Sequence, residues 1–149
     1  MPVVIVPGDI LTYPSNWICH QCNCTTRTSA GLAQQIFNRW VQCNTYERGS
    51  QNRKKGNIDV FHVDKDKYVV NMYAQYSTYN LNESKDDRLR WFQYCLNKLS
   101  PLVRKGEIVT FPYMIGCGLA DGNWDDYKRL IDDFQKGRPD ITVYIVRLV

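Results

Sequence analysis

Two glycine-bearing turns lie far apart in the chain, SAGLAQQIF at Ser29–Phe37 and PYMIGCGLADGNW at Pro112–Trp124. Each follows a strand-like run and opens a helix-like one, so each can aim backbone N–H groups and a helix N-terminus at an anion. Two such turns suit a ligand with more than one anionic or hydroxyl-rich part, and a nucleotide diphosphate is the natural candidate. The run ICHQCNC adds Cys19, His20, Cys22, Asn23 and Cys24. Zinc is disfavoured there. Cys19 and His20 are adjacent and point to opposite faces of a strand, and only the isolated Cys43, Cys95 and Cys117 follow.

The elements that must position these turns can be read from hydrophobic periodicity. Val3–Val6 is a short β-branched strand ended by Pro7 and Gly8, and Trp17–Asn23 is a second strand entering the first turn. Ser29 is placed to cap the helix that follows, where Ala33, Ile36, Phe37, Trp40 and Val41 form one apolar stripe. Strands at Ile58–Val63 and Tyr68–Tyr73 come next, then a polar stretch over Tyr76–Asp86. A second helix over Asp87–Arg104 carries Leu89, Phe92, Leu96, Leu99 and Val103 on one face, and its Pro101 implies a kink or an early end. Glu107–Phe111 is a buried-type strand that delivers the second turn. Asn123 then caps a helix whose Trp124, Tyr127, Ile131 and Phe134 share a face, and Ile141–Val149 is a final strand.

Interleaved strands and helices predict a three-layer α/β/α sandwich around a central mixed β-sheet, mixed because some neighbours are joined too tightly for crossovers. In such sheets ligands bind outside the carboxyl ends of the strands, and both glycine turns lie at such ends. The 149 residues, 44% of them hydrophobic, suit one domain over 1–149. No apolar run of about 18 residues exists to span a membrane. The N-terminus has no signal-type apolar region, so the expected location is the cytoplasm, with the nucleus as a second compartment. Six cysteines in such a chain predict free thiols. The net charge of +4 mildly favours anionic ligands without selecting nucleic acid over nucleotide. The basic run Arg48–Lys55 reads as a solvated loop.

In this order and across nearly the whole chain, the segments GDI at Gly8–Ile10, ICHQCN leading into SAGLA, and IGCGLADGNW resemble the macro domain, an ADP-ribose-binding module. In style they are nearest to the subgroup of the yeast ADP-ribose 1''-phosphate phosphatase and the terminal ADP-ribose protein glycohydrolases, which share the cysteine-rich second strand ending in asparagine and the GCGL turn. The resemblance implies a role for each matching residue. Asp9 accepts a hydrogen bond from the adenine amino group, and Ile10 supplies a backbone N–H and an apolar contact. Asn23 holds the distal ribose. Ser29, Ala30, Gly31 and Leu32 form the first phosphate and ribose loop. Ile115, Gly116, Cys117, Gly118 and Leu119 wrap the diphosphate, continued by Ala120, Asp121 and Gly122.

Hydrolysis of a phosphate monoester on that distal ribose needs an aligned water, neutralised phosphate oxygens and protonation of a poor leaving group. The candidate catalytic residues are His20 and Asp121 as proton carriers, with Asn23 positioning the sugar. Two other de-ADP-ribosylating arrangements are missing. VVNMYAQY at Val69–Tyr76 lacks the lysine of the glycohydrolases, and Ala33 stands where mono-ADP-ribosyl hydrolases have an aspartate. The resemblance therefore implies an ADP-ribose 1''-phosphate phosphatase that needs no cofactor or metal. The competing readings are a non-catalytic ADP-ribose reader and a hydrolase acting on ADP-ribosylated protein. An RNA or poly(ADP-ribose) binder is disfavoured, because Tyr73, Tyr76 and Tyr79 read as packing residues.

Overall fold

The computed structural model describes residues 2–77, 83–117 and 122–149. The strands are β1 (Val4–Pro7), β2 (Trp17–Asn23), β3 (Ile58–Asp64), β4 (Lys67–Gln75), β5 (Ile108–Pro112) and β6 (Thr142–Arg147), and the helices are α1 (Gly31–Arg39), α2 (Thr45–Arg48), α3 (Lys85–Leu99) and α4 (Trp124–Lys136). One sheet contains all six strands in the order β1-β6-β5-β2-β4-β3. All neighbours are parallel except the hairpin β3–β4, so the sheet is mixed as expected.

Burial follows position in that order. The central strand β2 is buried at every residue except Gln21, whereas β3, at an edge, alternates over its outer half, and β1, at the other edge, is largely exposed. Side-chain alternation along β2 separates two cores. Trp17 and Cys19 join Val70, Met72, Phe92, Phe111, Tyr127 and Ile131 under α3 and α4. Ile18 and Cys22 join Ile36, Phe37, Tyr46, Val69 and Tyr73 under α1 and α2. This is the three-layer arrangement, and it places Cys19 and His20 on opposite faces. All six cysteines are free thiols. Among the described residues no group of three metal-binding side chains stands together.

Several local expectations shift for physical reasons. Ser29 does not cap α1: Gly31 turns the chain with φ +57°, and the N-cap is Ala30, with no side-chain bond. Val41 leaves the apolar stripe, because α1 ends at Arg39 and Val41 opens a separate 3-10 turn, where it is 59% exposed. The second helix begins earlier than expected, at a capping box formed by Ser84 and Asp87. It ends at Leu99, and Pro101 lies in the 3-10 turn that follows. Asn123 caps α4 as expected. The short helix α2 was not anticipated; Asn44 caps it by accepting from the Glu47 N–H.

Phe92 ties α3 to the sheet and to α4. It is fully buried, with its ring edge-on to Tyr127 at 4.9 Å and to Phe111 at 6.4 Å. Phe92→Ala is expected to destabilise the protein by about 3–5 kcal/mol, seen as a lower urea midpoint at unchanged slope. A loss under about 1 kcal/mol would place the main α3 packing elsewhere.

Candidate functional site

β2 and β5 pair only at Trp17 with Val109 and Ile18 with Thr110, a seam reinforced by the Thr110 Oγ1 bond to the Trp17 carbonyl at 2.8 Å. Beyond it β2 continues along β4 as far as Asn23, and β5 continues along β6 as far as Pro112. The two strands therefore part at their carboxyl ends, where connections lead to opposite sides of the sheet. This is the switch point at which such sheets bind ligands. The opening is a cleft of about 450 Å³. Ala30, Gly31, Leu32 and Ala33 form one wall, Pro112–Gly116 the other, and His20, Gln21 and Asn23 lie between them. The two glycine turns thus belong to one site.

The N-terminus of α1 differs from those of α3 and α4. Ser84 and Asp87 cap α3 reciprocally at 3.0 Å, and Asn123 accepts from the Asp126 N–H at 3.4 Å with Asp125 and Asp126 in the first turn of α4. α1 has neither a side-chain cap nor an acidic residue in its first turn. Its positive end therefore faces the cleft without a built-in anion.

Asn23 sits where β2 bulges at Cys22/Asn23 and is 8% exposed. Its Oδ1 accepts from the N–H groups of Thr25 at 3.3 Å and Thr26 at 2.9 Å, and from Arg53 at 3.4 Å. Arg53 also donates to the Asn23 carbonyl at 3.0 Å and to the Thr26 carbonyl, and its guanidinium lies 4.5 Å above the Tyr46 ring. Tyr46 in turn holds the Asn23 N–H with its hydroxyl at 2.9 Å. The basic run is thus not wholly solvated: Arg53 folds back and fixes the loop carrying Thr26 and Thr28 into the cleft.

His20 is 2% exposed and packs edge-on against Phe37. Asn71 spends its amide hydrogens on the Cys43 carbonyl and Thr45 Oγ1, so its Oδ1 is an acceptor and His20 Nε2–H donates to it at 2.7 Å. The chain continues from Thr45 to the Tyr73 hydroxyl at 2.8 Å, and Tyr73 donates to Asp59 at 2.6 Å. Each donor points along one line toward a buried carboxylate. Burial pulls the His20 pKa from 6.5 down to about 4, against the Asn71 bond, which raises it. Burial also pushes the Cys22 thiol up, so the group beside His20 is a neutral S–H. His20 is a neutral, committed imidazole at the cleft floor.

In the second turn Met114 and Gly116 take left-handed backbone, with φ +65° and +76°. Bonds from Ile115 N–H to the Pro112 carbonyl and from Cys117 N–H to the Met114 carbonyl close it tightly. Tyr127 lies directly beneath: a Cβ on Gly116 would come within 2.8 Å of its hydroxyl oxygen. Glycine is required there by both backbone and space. The Cys117 thiol turns to the Ile115 carbonyl at 3.4 Å. Gly118, Leu119, Ala120 and Asp121 lie outside the described residues, as does Tyr79.

Asp9 and Ile10 follow β1 at the same carboxyl end of the sheet but do not line this cleft. Asp9 is exposed, with Oδ1 accepting the Leu11 N–H at 2.9 Å, and Ile10 packs into the core under α1. Ser29 also stays outside the lining. Gln21, Thr26, Thr28, Tyr46, Gln75 and the supporting Arg53 escaped sequence reasoning. For Gln21 a signal existed, its place on β2 two residues before Asn23. Thr26 and Thr28 lie in the segment joining Asn23 to Ser29, whereas Tyr46, Gln75 and Arg53 approach through tertiary packing.

The neutral His20 has a consequence for stability. The unfolded chain takes up a proton near pH 6.5, which the folded state resists, so this contribution is complete above pH 6.5. It falls by up to about 3 kcal/mol as pH drops from there toward 4. His20→Gln is expected to flatten the pH dependence of the urea midpoint across that window. Parallel curves for the two proteins would contradict the assignment.

No protein-family model matches this sequence, and no curated protein matches it. Solved structures do. A protein of unknown function from Bacteroides thetaiotaomicron superposes with a TM-score of 0.80 at 20% identity, over 99% of this chain and 98% of that one. The macrodomain of Mycobacterium tuberculosis DarG gives 0.74 at 17% identity, over 97% and 96%. Thermosipho africanus DarTG, solved in complex with ADP-ribose, gives 0.67 at 16% identity, over 95% of this chain and 40% of that one. Together with the mixed six-stranded sheet and the cleft where β2 and β5 part, these likenesses give the chain the macrodomain fold.

Proposed function

We propose that the cleft binds ADP-ribose. The observation that carries this reading is the pairing of an uncapped, acid-free helix N-terminus with a tight glycine turn across one opening of about 450 Å³. That volume suits a small-molecule ligand, and the bare N-terminus of α1 facing the Met114–Gly116 turn suits an anionic one. The ADP-ribose complex of the similarly folded DarTG supports the same ligand. In this reading the diphosphate lies between Gly31–Leu32 and Ile115–Gly116, the distal ribose reaches Asn23, and the adenine extends toward Asp9 and Ile10.

Turnover of ADP-ribose 1''-phosphate is the finer part of the proposal. Of the two proton carriers expected from the sequence, His20 is buried, neutral and bonded to Asn71. The described lining of the cleft contains no carboxylate. We therefore assign any hydrolysis to Asp121 as acid or base, with Asn23 positioning the sugar and His20 shaping the floor. Binding is then the primary property and phosphate release a slow one.

Calorimetry with ADP-ribose is expected to give micromolar binding, and Gly116→Ala is expected to weaken it by at least about tenfold, because the turn cannot keep its shape over Tyr127. Phosphate release from ADP-ribose 1''-phosphate should survive His20→Gln and disappear with Asp121→Ala. Absence of binding by the parent protein overturns the ligand. Binding without release leaves a reader.

A further inference from the structure

Three buried side-chain atoms among the described residues lack a hydrogen-bond partner: Gln21 Oε1, Arg88 Nε and Tyr127 Oη. They form one cluster. Burial pushes the Tyr127 hydroxyl up to about 12 while the neighbouring Arg88 cation and Gln21 amide act against that, yet the hydroxyl makes no well-formed hydrogen bond to either. Gln21 lies on the cleft wall. The Tyr127 ring closes beneath the second glycine turn, touching the space a Cβ would need at both Gly116 and Gly122. Arg88 stands one layer behind, in the first half of α3.

Arg88 is anomalous in its own right. It is 2% exposed, and among the described residues it forms no ion pair. Its neighbour Asp87 is occupied by the Ser84 cap and by Arg90. Burying a guanidinium without a countercharge is strongly unfavourable, and an apolar side chain of similar length would pack there at less cost. Its position accounts for its presence. In its described part the second turn offers an anion no cationic side chain. A buried cation beside Tyr127, whose ring lies beneath that turn, acts on an anion through weakly screening protein.

We propose that Arg88 is a positioning residue for the diphosphate: the bound ligand supplies the countercharge that Arg88 lacks among the described residues, and Arg88 in turn favours ligands carrying phosphate over those without it. This inference rests on the ADP-ribose reading of the cleft. It makes the cation's effect selective, because adenosine, which shares the base and ribose, should not sense it.

The test compares the parent protein with Arg88→Met, Arg88→Gln and Arg88→Lys, by thermal melting without ligand and by titration with ADP-ribose and with adenosine. Expected are a higher unliganded melting temperature for Arg88→Met, at least about tenfold weaker ADP-ribose binding, unchanged adenosine binding, and partial recovery in Arg88→Lys. Arg88→Gln gives the same comparison if the Met variant fails to fold. Equal losses for both ligands, or a lower unliganded melting temperature in both neutral variants, overturn the proposal by making Arg88 merely structural. A parent protein that binds adenosine but gains nothing from the diphosphate also overturns it. Failure of the parent to bind either ligand overturns instead the reading of the cleft itself.

Discussion

The site depends on where the pairing of β2 and β5 stops. Had the ladder run on past Ile18 and Thr110, the sheet would have closed over the place where the cleft lies. Instead each strand keeps its other neighbour, β4 or β6, as their carboxyl ends separate, and the backbone groups on the parted sides face the cleft. The separation opens toward α1 on one side and the Pro112–Gly116 turn on the other. Dense packing below the seam, with Ile18, Val109, Phe111 and Tyr73 fully buried, makes the opening a fixed shape.

Around this opening the protein treats charge in two ways. Under α1, polar groups are satisfied in sequence from His20 through Asn71, Thr45 and Tyr73 to Asp59, which fixes the His20 ring and the floor, while burial keeps that ring neutral. Arg53 does the same for the Asn23 loop, spending its donors on carbonyls. Under the second turn Gln21 Oε1, Arg88 Nε and Tyr127 Oη have no hydrogen-bond partner. The first arrangement stabilises the empty protein. The second is where the proposed diphosphate would be felt.

Much of this was legible in the sequence. The bounds of β2, the faces of α3 and α4, the Asn123 cap and the convergence of two distant glycine turns follow from periodicity and from the rule that ligands sit at strand carboxyl ends. What escaped depends on tertiary packing. Tyr46 and Arg53 reach Asn23 from an unanticipated helix and from a run that composition marks as solvated. The start of α1 moved by one residue because Gly31 adopts left-handed backbone that no propensity specifies. His20 was legible as a strand residue but not as a committed donor, since Asn71 is its neighbour only once β4 lies beside β2.

The proposed ligand requires a phosphate at the bare N-terminus of α1. The most direct measurement follows backbone amide resonances of Gly31, Leu32, Ala33 and Gly116 during titration with ADP-ribose and, separately, with adenosine. The expectation is for large shifts at all four amides with ADP-ribose, with adenosine leaving Leu32 and Ala33 unmoved. ADP-ribose shifts confined to the basic run Arg48–Lys55, or equal responses to both ligands at α1, would contradict it.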